Sequence, residues 1–125
     1  MKKFLLIIPL VLSLGACASL QTAWDVVTGA SVSPTQILVA ANAFDAGEAS
    51  ATQYLMFCKV NAALKGCDLA TRQAVIAGVR AGRAARAQLE PYVVSGTAGP
   101  SAIYNTLITA ITSVQSSLPA TGASK

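Results

Sequence analysis

Residues 103–118 read IYNTLITAITSVQSSL and carry the clearest helical pattern in the chain. Their apolar residues recur at spacings of four, four, three and four: Ile103, Leu107, Ile111, Val114 and Leu118. This spacing places them on one face of an α-helix. Polar positions fall between them: Thr106, Thr109, Thr112, Ser113 and Ser116. An amphipathic helix of this kind predicts an all-α domain in which its apolar face is covered.

A predicted first helix begins at Ser33, a good N-cap that is followed by proline at the first helical position. It ends near Asn61. Apolar residues three or four positions apart predict the buried face of this helix: Ile37, Ala41, Phe44, Ala51, Leu55 and Cys58. Glu48 interrupts this pattern.

A predicted second helix begins near Asp68, another good N-cap, and ends near Glu90, because Pro91 should stop it. At about 100° per residue, its small residues share one face: Ala70, Ala74, Ala77, Gly78, Ala81 and Ala85. We expect this face to pack inside the domain, and self-association through it is the alternative.

Three helices with short connections predict an up-down-up bundle over residues 34–118. Residues 17–33 are rich in small and turn-forming residues, which indicates a flexible tether, and residues 119–125 predict a disordered tail. Trp24 in the tether either caps one end of the helical core or lies at lipid headgroups. With 125 residues, the chain has room for one domain.

Charge argues against nucleic acid as a partner. The formal charge is +4, but Lys2 and Lys3 belong to a targeting segment, so the chain from Cys17 carries seven Lys/Arg against five Asp/Glu, or +2. Nucleic-acid-binding proteins need a dense basic stripe and aromatic platforms. The sequence offers neither.

The first sixteen residues have the proportions of a signal peptide. Lys2 and Lys3 provide a positive start, and residues 4–14 form an apolar run of eleven residues broken only by Pro9 and Ser13. Crossing a bilayer takes about 20 apolar residues, so this run is too short for a stable transmembrane helix.

The end of this run resembles the lipobox of bacterial lipoproteins, an aliphatic residue and two small residues before cysteine: Leu14, Gly15, Ala16 and Cys17. The resemblance implies cleavage before Cys17, diacylglycerol on its sulfur, and a periplasm-facing protein held on a membrane of the cell envelope. Because two or three acyl chains give stable attachment, the membrane itself becomes a partner. Ala18 rather than aspartate follows the cysteine, which in enterobacterial-type lipoproteins implies the outer membrane.

Two other fates of the N-terminus stay open. Residues 16–18 also satisfy the A-x-A rule of ordinary signal peptidase, which would release a soluble product that begins at Ser19. Alternatively, the segment stays uncleaved as an anchor.

Three cysteines would leave an odd one in an exported protein. If Cys17 is lipidated, Cys58 and Cys67 remain as a pair that can form a disulfide in an oxidising compartment. Such a bond requires the first helix to end near Asn61, because a helix continued to Lys65 would carry the chain about 10 Å away. The alternative is a helix that ends at Gly66 and leaves two buried free thiols.

Four arginines on the predicted second helix are candidate contacts for anionic lipid or phosphate: Arg72, Arg80, Arg83 and Arg86. The alternative is that they pair with Asp45 and Glu48 on the neighbouring helix, which we expect, or form a solvated face.

The sequence contains no histidine, so a Ser-His-Asp triad is impossible. It also lacks a G-x-S-x-G motif, a P-loop and a cluster of metal ligands. We therefore expect no catalytic residues, no metal and no cofactor.

Three segments resemble short uncharacterised proteins of alphaproteobacterial genomes and their prophages: residues 44–52, the Cys58/Cys67 pair and residues 79–86. The resemblance lies within about a third of the chain and implies genomic context alone. The leading hypothesis is a non-enzymatic envelope lipoprotein that binds an unknown envelope protein or supports the envelope. The alternative is a phage-derived membrane lipoprotein that acts in lysis or superinfection exclusion.

Overall fold

Three helices and a small antiparallel sheet make up the part of the chain that the computed structural model describes, Gly29 and residues 31–119. The elements are, in order, β1 (Ser31–Val32), α1 (Pro34–Val60), α2 (Leu69–Ser95), β2 (Gly99–Pro100) and α3 (Ser101–Ser117). Each helix packs on both others, so the predicted all-α three-helix bundle is confirmed. The predicted signal peptide, Cys17, Trp24 and the tail beyond Pro119 lie outside the described residues.

Side chains cap both ends of α1 at the predicted places. The Ser33 hydroxyl accepts a hydrogen bond from the Gln36 backbone N–H at 3.3 Å, and the Gln36 side chain accepts one from the Ser33 N–H at 3.2 Å. At the other end, the Asn61 side-chain amide donates to the Phe57 carbonyl at 2.9 Å. The predicted bounds are confirmed, and Asn61, with a φ of −123°, ends the helix.

Pro91 does not stop α2, so the predicted end near Glu90 is wrong. The helix continues for another turn to Ser95 and ends at Gly96, whose φ of +67° is the left-handed conformation that favours glycine. The Pro91 ring is exposed, and the next turn places Tyr92 and Val93 against the core. Burial of these two side chains offsets the hydrogen bond that proline cannot donate.

β1 and β2 fix the point at which the chain enters the bundle. Ser31 lies opposite Pro100, and Val32 lies opposite Gly99. Val32 is 1% exposed and belongs to the core. The predicted tether over residues 17–33 therefore ends earlier than expected, because burial of Val32 holds its last residues in a strand.

Two clusters of buried side chains form the core. The entry cluster surrounds β1 and the near ends of the helices: Val32, Ile37, Ala40, Phe44, Ala85, Leu89, Tyr104, Leu107 and Ile111. The tip cluster lies at the opposite end: Ala51, Tyr54, Cys58, Cys67, Val75 and Val114. The predicted buried positions of α1 are confirmed except at Ala41 and Leu55, which are half-buried beside the buried Ala40 and Tyr54.

Two glycines let α2 approach its neighbours closely. A Cβ at Gly78 would lie 2.8 Å from Val114 Cγ2, and one at Gly82 would overlap the ring of Phe44. The predicted small-residue face is therefore wrong in part, because the buried face is rotated by roughly a quarter turn around these glycines. Of that predicted set Gly78 and Ala85 are buried, and the rest are exposed: Ala70, Ala74, Ala77 and Ala81. Self-association through the exposed alanines stays a prediction.

Candidate functional site

The predicted cysteine pair closes the tip, by which we mean the last two turns of α1, residues 61–68 and the first turn of α2. Cys58 and Cys67 are joined by a disulfide, with Cα atoms 5.2 Å apart, and both are buried. The chain folds back through hydrogen bonds from the Leu64 N–H to the Asn61 carbonyl and from the Cys67 N–H to the Leu64 carbonyl, each 3.0 Å long. The predicted pairing and the early end of the helix are both confirmed.

A tyrosine hydrogen bond joins the segment at residues 61–68 to α1. The Tyr54 hydroxyl donates to the carbonyl of Gly66, whose φ is +88°. Burial raises the pKa of the Tyr54 hydroxyl, the negative charge of Asp68 adds to the rise, and Arg72 opposes it. No local signal in the sequence indicated this contact, because Tyr54 and Gly66 are twelve residues apart.

Asp68 caps the start of α2 as predicted. Its Oδ1 accepts a hydrogen bond from the Thr71 N–H at 2.9 Å, and its Oδ2 accepts one from the Thr71 hydroxyl at 2.7 Å. These hydrogen bonds from Thr71 lower the pKa of the Asp68 carboxyl. The tip is thus closed by a disulfide, a tyrosine hydrogen bond and a helix cap in succession.

Two of the four candidate arginines pair with carboxylates on α1. Arg83 donates to Glu48, an interaction that raises the pKa of the guanidinium. Arg86 pairs with Asp45, with Nε and Oδ1 2.9 Å apart, and it lies 4.0 Å from Glu90. The expected ion pairing between helices is confirmed, and it occupies these two guanidinium groups.

The other two arginines, Arg72 and Arg80, lie about two turns of α2 apart from each other. Arg80 is exposed and has no ion pair among the described residues. Arg72 is half-buried at the tip, and its Nε has no hydrogen-bond partner in the described part of the chain. The four predicted anion-binding residues are therefore not brought together into one site.

A groove of about 190 Å³ lies between α1 and α2 near the entry end. Apolar side chains and one ion pair line it: Ile37, Leu38, Ala41, Leu89, Val93, Val94, Arg86 and Glu90. Sequence analysis missed it, because it depends on the continuation of α2 past Pro91. Its lining is apolar, which suits a hydrocarbon chain or an apolar side chain better than a polar substrate.

The tip also exposes large apolar side chains, which sequence analysis missed. Five of them are more than half exposed: Met56 (67%), Phe57 (53%), Val60 (80%), Leu64 (51%) and Leu69 (62%). The available signal was the uninterrupted apolar run at residues 54–58, which covers every side of α1 before Lys59. Exposed apolar side chains grouped in this way mark interaction surfaces more often than those scattered singly.

Comparison with known proteins adds no relative, because no family model, no curated protein and no solved structure matches this chain. Within the described residues, no helix is long and apolar enough to cross a membrane. Across that same part of the chain, no three Cys, Asp or Glu side chains are grouped so that they could hold a metal ion.

Proposed function

We propose that this protein is a lipid-anchored, non-enzymatic protein of the bacterial cell envelope, whose helical bundle faces the periplasm and binds a partner or supports the envelope. One observation carries the proposal. The chain has three cysteines, of which Cys58 and Cys67 are bonded to each other, and the third is the last residue of the lipobox-like sequence at residues 14–17. A disulfide is typical of exported proteins, and a cysteine left over in that position has a role as the lipid attachment site.

The bundle itself offers binding surfaces more readily than catalytic groups. Its charged side chains are exposed or half-buried, and the strongest polar contacts between helices join arginines to carboxylates. The groove and the tip are apolar. These features support a role in binding, for which an apolar surface is sufficient.

Labelling with palmitate tests the attachment. The wild-type protein should incorporate label and partition into detergent, whereas Cys17→Ala should accumulate as precursor or appear as soluble protein. The matched control is the Cys58→Ala/Cys67→Ala variant, which should incorporate label as the wild type does. Membrane attachment of Cys17→Ala equal to that of the wild type would contradict the proposal and favour an uncleaved anchor.

A further inference from the structure

The apolar side chains at the tip form one stripe on the outer face of α1. At 100° per residue, Met56, Phe57 and Val60 fall within an arc of about 100°. The buried side chains of α1 lie on the opposite side of the helix: Ile37, Ala40, Phe44, Ala51, Tyr54 and Cys58. The stripe therefore cannot contribute to the core, and Leu64 and Leu69 extend the exposed apolar surface into the turn and the start of α2.

The net charge of the described domain is also concentrated at the tip. Away from the tip, three arginines balance three acids: Arg80, Arg83 and Arg86 against Asp45, Glu48 and Glu90. At the tip, Lys59, Lys65 and Arg72 face Asp68 alone, which leaves +2. No acidic residue occurs between Glu48 and Asp68.

We propose that the tip is a docking surface for an anionic bilayer, with Phe57 and Val60 in the interface and Lys59 and Lys65 beside the headgroups. Apolar side chains flanked by lysines match the two parts of such an interface, acyl chains below and negative charge above. A neutral protein surface would use the apolar stripe but not the adjoining lysines. The inference deepens the proposed function, because it gives the anchored protein a second contact with lipid.

The position of the tip makes this contact independent of the N-terminal anchor. The chain enters the bundle at β1, and α1 has 27 residues, so the tip lies about 40 Å away along the helix. The disulfide and the Tyr54–Gly66 hydrogen bond hold the turn that carries Leu64 and Lys65. A preorganised surface loses less entropy on binding than a flexible loop would.

The fluorescence of a single tryptophan placed at the tip reports directly whether the tip inserts into a bilayer. Trp24 is the one tryptophan of the chain, so the full-length protein with Trp24→Phe and Phe57→Trp carries a single indole. The protein is added to vesicles of anionic phosphatidylglycerol whose acyl chains carry bromine, which quenches an indole only at close range. We expect quenching at least about twice that in vesicles of neutral phosphatidylcholine with the same bromine content.

Matched variants separate the tip from other exposed positions. Asn105→Trp in the Trp24→Phe background places the indole near the entry end, at an exposed position of α3 that does not line the groove. It should be quenched weakly in both lipids. Lys59→Gln/Lys65→Gln should weaken vesicle binding of the tip by roughly thirtyfold and remove most of its salt dependence, whereas Arg80→Gln should leave both unchanged.

Two outcomes would overturn the inference. Quenching of the Phe57→Trp indole that is no stronger than that of the Asn105→Trp indole would show that the tip is not the part of the domain that enters the bilayer. A blue shift without bromine quenching would show that the tip is covered by a second copy of the chain instead. Unfolding of the variants is excluded by helical content from circular dichroism, since the substituted positions are exposed.

The same experiment distinguishes this inference from the proposed function. Flotation of the wild type but not of Cys17→Ala, together with an unquenched Phe57→Trp indole, would retain the anchor and defeat the docking surface. Quenching of that indole at equal strength with and without Cys17→Ala would retain the docking surface whatever becomes of the anchor.

Discussion

The entry cluster buries several large side chains, among them Phe44, Tyr104 and Leu107, whereas the tip cluster buries one large side chain, that of Tyr54, beside two valines, an alanine and a disulfide. Both ends join all three helices, but they do so with different means. At the entry end, burial of apolar side chains is sufficient to hold the three helices together. At the tip, the large apolar side chains face outward, so a covalent bond and the Tyr54 hydroxyl close the structure instead. Side chains that face the solvent cannot also fill the core beneath them.

The largest expected loss of stability comes from removing a large buried side chain from the entry cluster. Phe44 is 1% exposed and its ring fills the space above Gly82. Phe44→Ala should lower the free energy of unfolding by about 3–5 kcal/mol, measured by urea denaturation. The exposed Phe57 is the matched control, and Phe57→Ala should change stability by less than about 0.5 kcal/mol. Equal losses would erase the distinction between the two ends.

Opening the tip should cost somewhat less. The disulfide closes a ten-residue segment, so the Cys58→Ala/Cys67→Ala variant should lose about 2.7 kcal/mol through the entropy of the unfolded chain. Hydrogen exchange should rise first in residues 54–68 and leave the entry cluster protected. A uniform rise along the chain would contradict the account, because it would make the tip part of a single cooperative core.

Gly82→Ala should test how closely α2 packs on Phe44. The new methyl group overlaps the ring, so we expect a loss of about 1–3 kcal/mol in the wild type. In the Phe44→Ala background the same substitution should be neutral or stabilising, since alanine is the better helix former. A double-mutant cycle in urea measures this reversal, and simple additivity would show that the two residues are not coupled.

Tyr54→Phe should have the smallest effect, about 1 kcal/mol, because it removes one hydrogen bond to Gly66. It should also change the response to alkali. The pKa of Tyr54 is raised above 10.0, chiefly by burial, so the unfolded chain releases this proton at lower pH than the folded chain. Wild-type stability should therefore fall as pH rises above about 10, and fall less in Tyr54→Phe. Parallel pH profiles would contradict the burial of this hydroxyl.

Local signals in the sequence were sufficient for the helix starts and for the turn at the tip. Ser33 and Asp68 cap the helices that they were expected to cap, since capping depends on neighbouring residues alone. The end of α2 and the order at Val32 could not be predicted in this way, because distant residues decide them. Val32 pairs with Gly99, and the turn after Pro91 is held by the entry cluster.

Of the candidate site, the Cys58–Cys67 disulfide could be predicted from the sequence, whereas the exposed apolar surface of the tip could not. The spacing of Cys58 and Cys67, with Gly66 and Asp68 beside them, indicated a closed turn. The outward stripe at Phe57 was hidden, because the apolar run at residues 54–58 looks the same whichever of its side chains face the core or the solvent. Which face is buried depends on how α2 and α3 pack against α1.

Mass spectrometry of protein purified from membranes without reducing agent tests the central claim most directly. The chain has no lysine or arginine from Cys17 to Phe57, so trypsin should release residues 17–59 as one peptide, linked through the disulfide to residues 66–72. We predict one species that carries both peptides and the mass of a diacylglycerol on Cys17. An unmodified Cys17, or free thiols at Cys58 and Cys67, would contradict the account.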